Sequence, residues 1–549
     1  VRLDIRKPTA AETLIELGVR MGASIGGVEA CKGPGVQLVG VFSLREALDR
    51  VSRGKGCAYS FVDARTVRFS VVRPAPALRP VTAARPTGVA AEPIAPLAPL
   101  VVNAGKRSPR LGALAGGVSV IGSPQLQDTG VGETGSVSRQ TAGFMTTNLG
   151  AARNKILLRG LSDGTFTGRT QSTVGTYLDD IPVNYNAPDP DLRLIDVDRV
   201  EVMRGPQGAL YGGGSLSGIY RIVTRQPELG RYSASVGTTI ANTESGSNSY
   251  RAEGMINAPL GQISAVRVAA YYDVDGGYLD DVNLRLSNVD KTTRRGGRVA
   301  WRADLGDWRI RLGTALQSVS SKDTQYVTLT PGGPRRANQV REIHRNRLSQ
   351  TSVKISGSGD WGQFESVTGY VTHRYASRYD ATVSLSQFSE VALELGVYDE
   401  AARVRMAVED MIYTAPAIGR LRWMIGGFLA TSIEDGDADL RARAGAITRS
   451  YYDEARKDRL NEYALYGEAT YDLGGDWKIA LGGRAFKTTV HTRSYVLAPS
   501  PGQSRDLDRQ ASFSGFSPKI SIQRDLARGG MIYALSSEGY RAGGFNSGD

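Results

Sequence analysis

The sequence predicts a mainly β protein: a transmembrane antiparallel β-barrel, incomplete in this chain, preceded by two smaller α+β domains. Three observations point there. From Arg231 onward apolar residues recur at every second position, the period of a strand with one apolar face. Short turns then alternate with long polar connections, the layout of an outer-membrane barrel. The 66 Gly against 8 Met in 549 residues describe a turn-rich β chain long enough for several domains.

The strand pattern is explicit. Tyr232, Ala234, Val236 and Ile240 alternate with Ser and Gly, and Tyr250, Ala252, Gly254, Ile256 and Ala258 with Ser249, Arg251, Glu253 and Asn257. Val299, Trp301, Ala303 and Leu305 face away from Arg298, Arg302 and Asp304; Tyr463, Leu465, Ala469 and Tyr471 oppose Glu468 and Thr470. A soluble sandwich produces the same alternation. The turns discriminate. Short ones fall at 259–261, 305–308, 359–362, 416–420, 473–477 and 526–530, and long polar stretches at 275–297, 318–350, 374–401 and 432–460. All five Trp (Trp301, Trp308, Trp361, Trp423 and Trp477) fall in this region, and three sit at short turns, where an aromatic girdle would meet lipid headgroups. The tally is about 13 strands, against about 22 in plugged transporters, so C-terminal strands are expected to be missing.

Composition narrows the function classes. The formal charge of +12 is scattered among acids, with no nucleic-acid motif or aromatic–basic stripe, so lipid headgroups and anionic ligands are the expected partners, not nucleic acid. No apolar run is long enough for a membrane helix, which leaves barrel strands untouched. Val1-Arg-Leu-Asp-Ile-Arg-Lys7 is not a secretory signal, so a signal is expected to be removed or to lie upstream. His344, His373 and His491 lack metal-ligand spacing and are expected at solvated positions. Gly212, Gly214 and Gly218 miss the dinucleotide spacing, no Gly-Lys-Ser/Thr follows, and no nucleophile elbow is present. Binding and gating are expected, with no enzyme activity, metal or cofactor.

The densest stretch is Val200-Glu-Val-Met-Arg-Gly-Pro-Gln-Gly-Ala-Leu-Tyr-Gly-Gly-Gly-Ser-Leu-Ser-Gly-Ile-Tyr-Arg-Ile-Val-Thr-Arg225. A β-branched strand stops at Arg204-Gly205-Pro206, a glycine-rich turn folds the backbone tightly, and a second strand runs from Ile219 to Val223. With Leu158-Arg159-Gly160 and Tyr177-Leu-Asp-Asp-Ile-Pro-Val183 upstream, this run closely resembles the plug domain of TonB-dependent outer-membrane receptors. The resemblance implies a plug over 105–228 and the N-terminal part of a barrel over 229–549 in a Gram-negative outer membrane.

Residues 1–73 read as a small mixed domain. Thr9 caps a helix to Gly22 with Glu12 completing the box, and Leu14, Ile15 and Leu17 face inward. A strand at 37–41 follows, then a helix opened by Ser43-Leu-Arg-Glu46 with Leu44, Ala47, Leu48 and Val51 on one face, then strands at 58–62 and 66–71. The pattern resembles the short N-terminal domain of secretins and TonB-dependent signalling receptors, a periplasmic domain. Cys31 and Cys57 read as a disulfide contributing ~3 kcal/mol, against two separate buried thiols.

Residues 74–97 form a Pro/Ala-rich linker. Residues 98–104, with Leu100, Val101, Val102, Asn103 and Ala104, resemble a TonB box suited to strand addition on the inner-membrane TonB protein; the first plug strand is the competing reading. Polar insertions at 162–172 and 184–191 correspond to plug loops that touch ligand in the family, with Phe166, Arg169, Tyr185 and Asp189 as candidates against ordinary loop composition. Adjacent Asp179 and Asp180 read as turn formers rather than a carboxylate pair. The resemblance also implies a plug–barrel latch of Arg159 and Arg204 on Glu468 and Glu538, against hydrogen bonds within the plug. The implied function is energy-coupled uptake of a ferric siderophore, with cobalamin, haem or oligosaccharide as other ligands. The second reading is a signalling receptor contacting a periplasmic anti-sigma regulator; the third is a soluble β-rich adhesin.

Overall fold

The computed structural model describes residues 2–61, 66–71, 106, 114–128, 132–162, 172–184, 189–327, 332–386, 394–497, 504–526 and 530–546. The chain divides into two compact units, Val1–Leu97 and Ala98–Asp549.

The first unit packs two helices on small sheets. Strands β1 (Arg2–Ile5) and β3 (Leu38–Val41) pair antiparallel, and β2 (Ser24–Gly26), β5 (Thr66–Val71) and β4 (Cys57–Phe61) form a second sheet in that order. Helix α1 (Ala10–Met21) carries the expected capping box of Thr9 and Glu12, and Gly22 closes it in the left-handed region. Helix α2 (Leu44–Ser52) opens with the same device from Ser43 and Glu46. Leu14, Leu17, Ala47, Leu48 and Val51 are buried, with Cys31 and Cys57 joined by a disulfide among them. Ile15 departs from expectation and lies exposed, because it falls on the flank of α1 beyond the Leu14–Leu17 stripe.

The second unit holds an inner sheet and an outer one. The inner strands are β6 (Gly117–Gly122), β9 (Val174–Leu178), β10 (Ile181–Pro182), β11 (Val197–Arg204) and β12 (Gly218–Thr224), ordered β10-β9-β12-β11-β6. Only β12 and β9 run parallel. A hairpin, β7 (Phe144–Thr146) and β8 (Ile156–Leu158), and short helices α3 (Ser123–Asp128), α4 (Thr134–Gln140) and α5 (Gly208–Tyr211) complete it. Gly218, at φ 146°, lets β12 lie close on β11: a Cβ there would sit 2.1 Å from the Met203 carbonyl oxygen.

The outer sheet has 13 strands, all antiparallel neighbours in chain order. They are β13 (Ser233–Ala241), β14 (Ser249–Pro259), β15 (Ser264–Asp275), β17 (Thr292–Leu305), β18 (Trp308–Ser321), β20 (His344–Gly359), β21 (Gly362–Asp380), β22 (Leu395–Thr414), β23 (Leu421–Ala444), β24 (Ile447–Gly474), β25 (Trp477–Leu497), β26 (Arg505–Asp525) and β27 (Met531–Ser537). Two-residue strands β16 (Asp280–Asp281) and β19 (Arg335–Arg336) pair parallel between the long connections. Among the described residues no ladder joins β13 to β27, so both strands are sheet edges.

Five of the six expected tight turns lie in the described residues and are present, with registers such as Leu305 opposite Trp308 and Gly359 opposite Gly362; the sixth, at 526–530, includes residues 527–529 outside them. One expected long connection is not. Residues 432–460 continue β23 and β24 into a hairpin closed at Gly445, whose φ is 58°. Their polar composition reflects water on both faces rather than an irregular loop: Lys457 meets Asp435 there, and Arg441 meets Asp399 from β22. A strand needs only about 9–11 residues to cross a bilayer, so the 28 residues of β24 extend well past one.

The faces of the outer sheet separate by chemistry. Val236, Ile240, Ile256, Val299, Leu312, Tyr463, Leu465, Leu481 and Phe516 are exposed on its outer face, an apolar skin far larger than an ordinary soluble surface carries. Trp308 and Trp361 stack at 5.9 Å beside the short turns, and Tyr413 continues the stack. No helix of the described residues is long and apolar enough to cross a membrane. The opposite face packs on the inner sheet: Val200, Val202, Tyr220 and Ile222 share one core with wall residues Leu348, Val367, Val371, Met406 and Val408.

Candidate functional site

The seam between inner domain and wall is where the charged residues converge. Asp196, in the turn before β11, takes two hydrogen bonds from Arg267, at 2.8 and 2.6 Å, and a third from Arg298 at 3.3 Å. Its φ of 53° is a conformation that aspartate tolerates better than most residues. Higher on the wall Arg294 reaches Glu133 at 2.8 Å and Asp191 at 3.4 Å, and also pairs with Asp275 beside it. Gln317 accepts from the Arg193 backbone N–H at 2.9 Å and donates to the Pro190 carbonyl at 2.8 Å. On the other side Lys106 meets Asp410 at 2.7 Å and the Tyr466 hydroxyl at 3.0 Å.

The Asp179–Asp180 turn has two jobs. Asp179, at φ 54°, accepts from the Thr224 backbone N–H at 2.8 Å and ties the turn to β12. Asp180 lies between Arg221 of the inner domain, at 2.5 Å, and Lys354 of the wall, at 3.0 Å. Burial by itself would raise the Asp180 carboxyl, but the charges of Lys354, Arg221 and Arg311 together outweigh it and hold it below the usual carboxylate range. The sequence reading therefore found the turn and missed the ion pair.

The other candidates divide. Asp189 is buried, 4% exposed, and lies near Thr134 and Asp191; burial first, and the Asp191 charge second, push its carboxyl up to about 7. Phe166, Arg169 and Tyr185 lie outside the described residues, as do Leu100, Val101, Val102, Asn103 and Ala104. The latch is corrected. Arg204 donates to the Ala142 carbonyl at 3.0 Å, within the inner domain, and among the described residues no ion pair joins Arg159 or Arg204 to Glu468 or Glu538. Glu468 meets Lys519 of the wall at 2.7 Å, and Glu538 uses its backbone carbonyl to accept from the Gly208 N–H at 3.0 Å. Glu468 on β24 is reached by Lys519 from β26, so a wall cation stands where the resemblance implied Arg159 or Arg204. His344 and His373 are also corrected: both are buried, bonded to Ser377 and Asn346 at 2.8 Å, and no group of His, Cys, Asp and Glu fit for a metal occurs among the described residues.

The wall arginines that hold the seam carried a signal. Arg294, Arg298 and Arg302 recur every four residues on the polar face of one strand, all aimed at the inner domain. The inner-domain acids that Arg294 and Arg298 reach, Glu133, Asp191 and Asp196, lie outside the strands, where no periodicity marks them.

A sequence model of the TonB-dependent Receptor Plug Domain matches residues 111–219, the inner domain just described. The chain thus carries a TonB-dependent receptor plug domain. The Pesticin receptor of Yersinia pestis is 32% identical over 222 residues, 39% of this chain and 29% of that protein. The Ferric enterobactin receptor PirA of Pseudomonas aeruginosa is 27% identical over 202 residues, 34% of this chain and 26% of that protein. These matches thus span under a third of either relative. The plugged-barrel fold of TonB-dependent receptors is seen directly in solved structures. The ferric yersiniabactin uptake receptor FyuA from Yersinia pestis superposes with a TM-score of 0.69 at 19% identity, over 79% of this chain and 66% of that one. The ferripyoverdine receptor of Pseudomonas aeruginosa superposes with a TM-score of 0.60 at 15% identity, over 99% of this chain and 71% of that one.

Proposed function

We propose that the chain is part of an outer-membrane receptor that takes up a ferric siderophore by energy-coupled displacement of its plug. The observation that carries this reading is the plug itself, packed on the inner face of an antiparallel wall whose outer face is apolar. Its likeness to a ferric enterobactin receptor and to a ferric yersiniabactin uptake receptor favours an iron chelate as ligand. Seating by ion pairs suits a gate: buried pairs add little net stability yet hold a fixed register until pulled. In this reading 98–104 is the TonB box, which adds a strand to TonB, 105–228 is the plug and 229–549 the wall. The loop residues Phe166, Arg169 and Tyr185 are the proposed ligand contacts; Asp189, buried beside Thr134 and Asp191, is not open to a ligand and supports the loop from within. The relatives are transport receptors, which agrees with a binding and gating role rather than an enzymatic one.

Radio-iron uptake from a panel of ferric chelates, in a knockout strain complemented with the full-length gene, tests it. Uptake of at least one chelate that requires residues 98–104 is expected. Growth and uptake indifferent to the gene on every chelate would overturn it.

A second reading is favoured by one observation. Residues 1–73 lie in a compact unit with its own disulfide-linked core, behind the 74–97 linker, and the likeness to the ferripyoverdine receptor extends over 99% of the chain. That unit suits a periplasmic signalling domain meeting an anti-sigma regulator. Deleting 1–73 separates the roles: signalling is lost with uptake intact, or neither changes and signalling is rejected.

A further inference from the structure

Two cavities adjoin at the seam beneath the Asp179–Asp180 turn. The first, about 100 Å³, lies between plug and wall, bordered by Asp180, Arg298, Arg311, Gln350 and Lys354. The second, about 390 Å³, is bordered by Asp198, Arg199, Arg221, Arg225 and Glu228. Asp179, Asp180, Thr224, Gln226 and Arg311 line both, so the two spaces are neighbours at that point.

Arg311 stands in the middle of a row of cations. Register sets Arg302 opposite Arg311, and Arg311 opposite Lys354, on three neighbouring strands. Like charges placed directly opposite destabilise a sheet unless something neutralises them. Arg302 is neutralised by Asp304 at 2.6 Å, and Lys354 by Asp180 at 3.0 Å and Glu365 at 2.7 Å. Arg311 is balanced only at a distance: among the described residues it enters no ion pair, its buried Nε makes no hydrogen bond, and the acid its charge acts on, Asp180, is already held by Lys354 and Arg221.

The other arginines bordering the two spaces are engaged. Arg298 holds Asp196, Arg221 holds Asp180, Arg199 holds Glu201, and Arg225 donates to the Ser123 hydroxyl. Arg225, bonded to a neutral hydroxyl, and Arg311 thus both lack a direct ion pair among the described residues, and Arg311 is the one that borders both cavities. A guanidinium presents a planar fork of N–H donors that matches carboxylate and phosphate oxygens. A partly buried cation with no acid of its own is costly, which a bound anion would relieve.

We propose that this junction is a binding site for a small carboxylate- or phosphate-bearing anion, gripped by Arg311. The smaller space admits one anionic group, and the larger one holds the rest of the molecule. Lys354 and Arg221 sit close enough to add to the field but remain committed to Asp180. The site goes beyond the uptake reading and stands whether or not the chain transports a chelate.

The test is calorimetric titration of the purified full chain, in phosphate-free buffer and a non-ionic detergent, with citrate and with inorganic phosphate as separate probes. Saturable binding of at least one is expected, and which one binds assigns the anion class. Arg311→Gln should weaken it roughly tenfold or more, the loss of a charge-assisted hydrogen bond, with Arg311→Lys in between. Arg309→Gln, on the same strand but exposed and paired to Asp304, should bind as the parent does. A second measurement needs no variant: phenylglyoxal modification of Arg311, followed by peptide mass mapping, should slow about fivefold under saturating anion, with Arg309 unaffected. No saturable heat with either probe, unaltered affinity in Arg311→Gln, or modification of Arg311 indifferent to the anion would each overturn the proposal.

Discussion

Asp196 of the plug and Arg267 of the wall meet fork to fork, through hydrogen bonds of 2.8 and 2.6 Å between side chains almost wholly removed from solvent. Removing one partner of such a pair leaves a buried charge uncompensated, which costs about 3–5 kcal/mol. Asp196→Ala strands two arginines, Arg267 and Arg298, and should loosen the plug by that amount. Arg204→Ala removes only a hydrogen bond to the Ala142 carbonyl at an exposed position and should cost about 1 kcal/mol. Protease accessibility of the plug in isolated membranes distinguishes the two. Equal sensitivity would mean that the seam is not held where the ion pairs lie.

Asp189 sets a pH dependence. Its carboxyl is raised from the ordinary value of 3.8 to about 7, so the folded plug binds that proton more tightly than the unfolded chain. The stabilisation is complete below the unfolded value and is lost as pH rises through about 7. Asp189→Asn should therefore match the parent near pH 4 and exceed it by roughly 2–4 kcal/mol near pH 8.5. Thermal unfolding across that range, on parent and variant, checks the sign. A variant less stable at the alkaline end contradicts it.

Steric fit fixes the plug against β21. A Cβ at Gly369 would lie 2.4 Å from Ile181 Cδ1, and Ile181 is 2% exposed. Gly369→Ala should cost about 1–3 kcal/mol by overpacking, and Ile181→Val in the same chain should recover much of it. A double-mutant cycle on chemical unfolding measures the coupling, and additive effects would place the two side chains out of contact.

The outer skin is tested by charge. Leu481 is 54% exposed on the apolar face of β25. Leu481→Arg should cost up to about 2–4 kcal/mol in lipid if it lies near the bilayer midplane. The comparison is refolding into vesicles against refolding of the parent, and an unchanged free energy would argue against lipid contact there.

In the N-terminal unit, the Cys31–Cys57 bridge closes a sequence separation of 26. Replacing both cysteines with serine should lower the stability of that unit by ~3 kcal/mol and leave unfolding of the second unit unchanged. Calorimetry of the full chain resolves the two. A shift of both transitions would show that the units do not unfold independently.

Local chemistry was legible along the chain. The capping boxes at Thr9 and Ser43, the turns at Gly306 and Gly474, and the outward Val299 and Leu465 follow from side-chain period, hydrogen-bonding groups and permitted φ, all short-range properties. The hairpin over 432–460 was misread because polarity resembles a loop when a strand leaves the membrane and is wetted on both faces. Asp180 reads from the sequence only as a turn residue and Asp196 carries no signal there, since a turn has no period to show which way a carboxylate points.

Strand, turn and the apolar face were thus decided within windows of a few residues, where covalent geometry and hydrophobic alternation act. Which charges meet was decided only by folding. Asp196 and Arg267 stand 71 residues apart and Asp180 and Lys354 stand 174 apart. Their pairing depends on how the plug is seated against a wall assembled from many strands, and it is the loss of water at that seam that makes each charge need a partner.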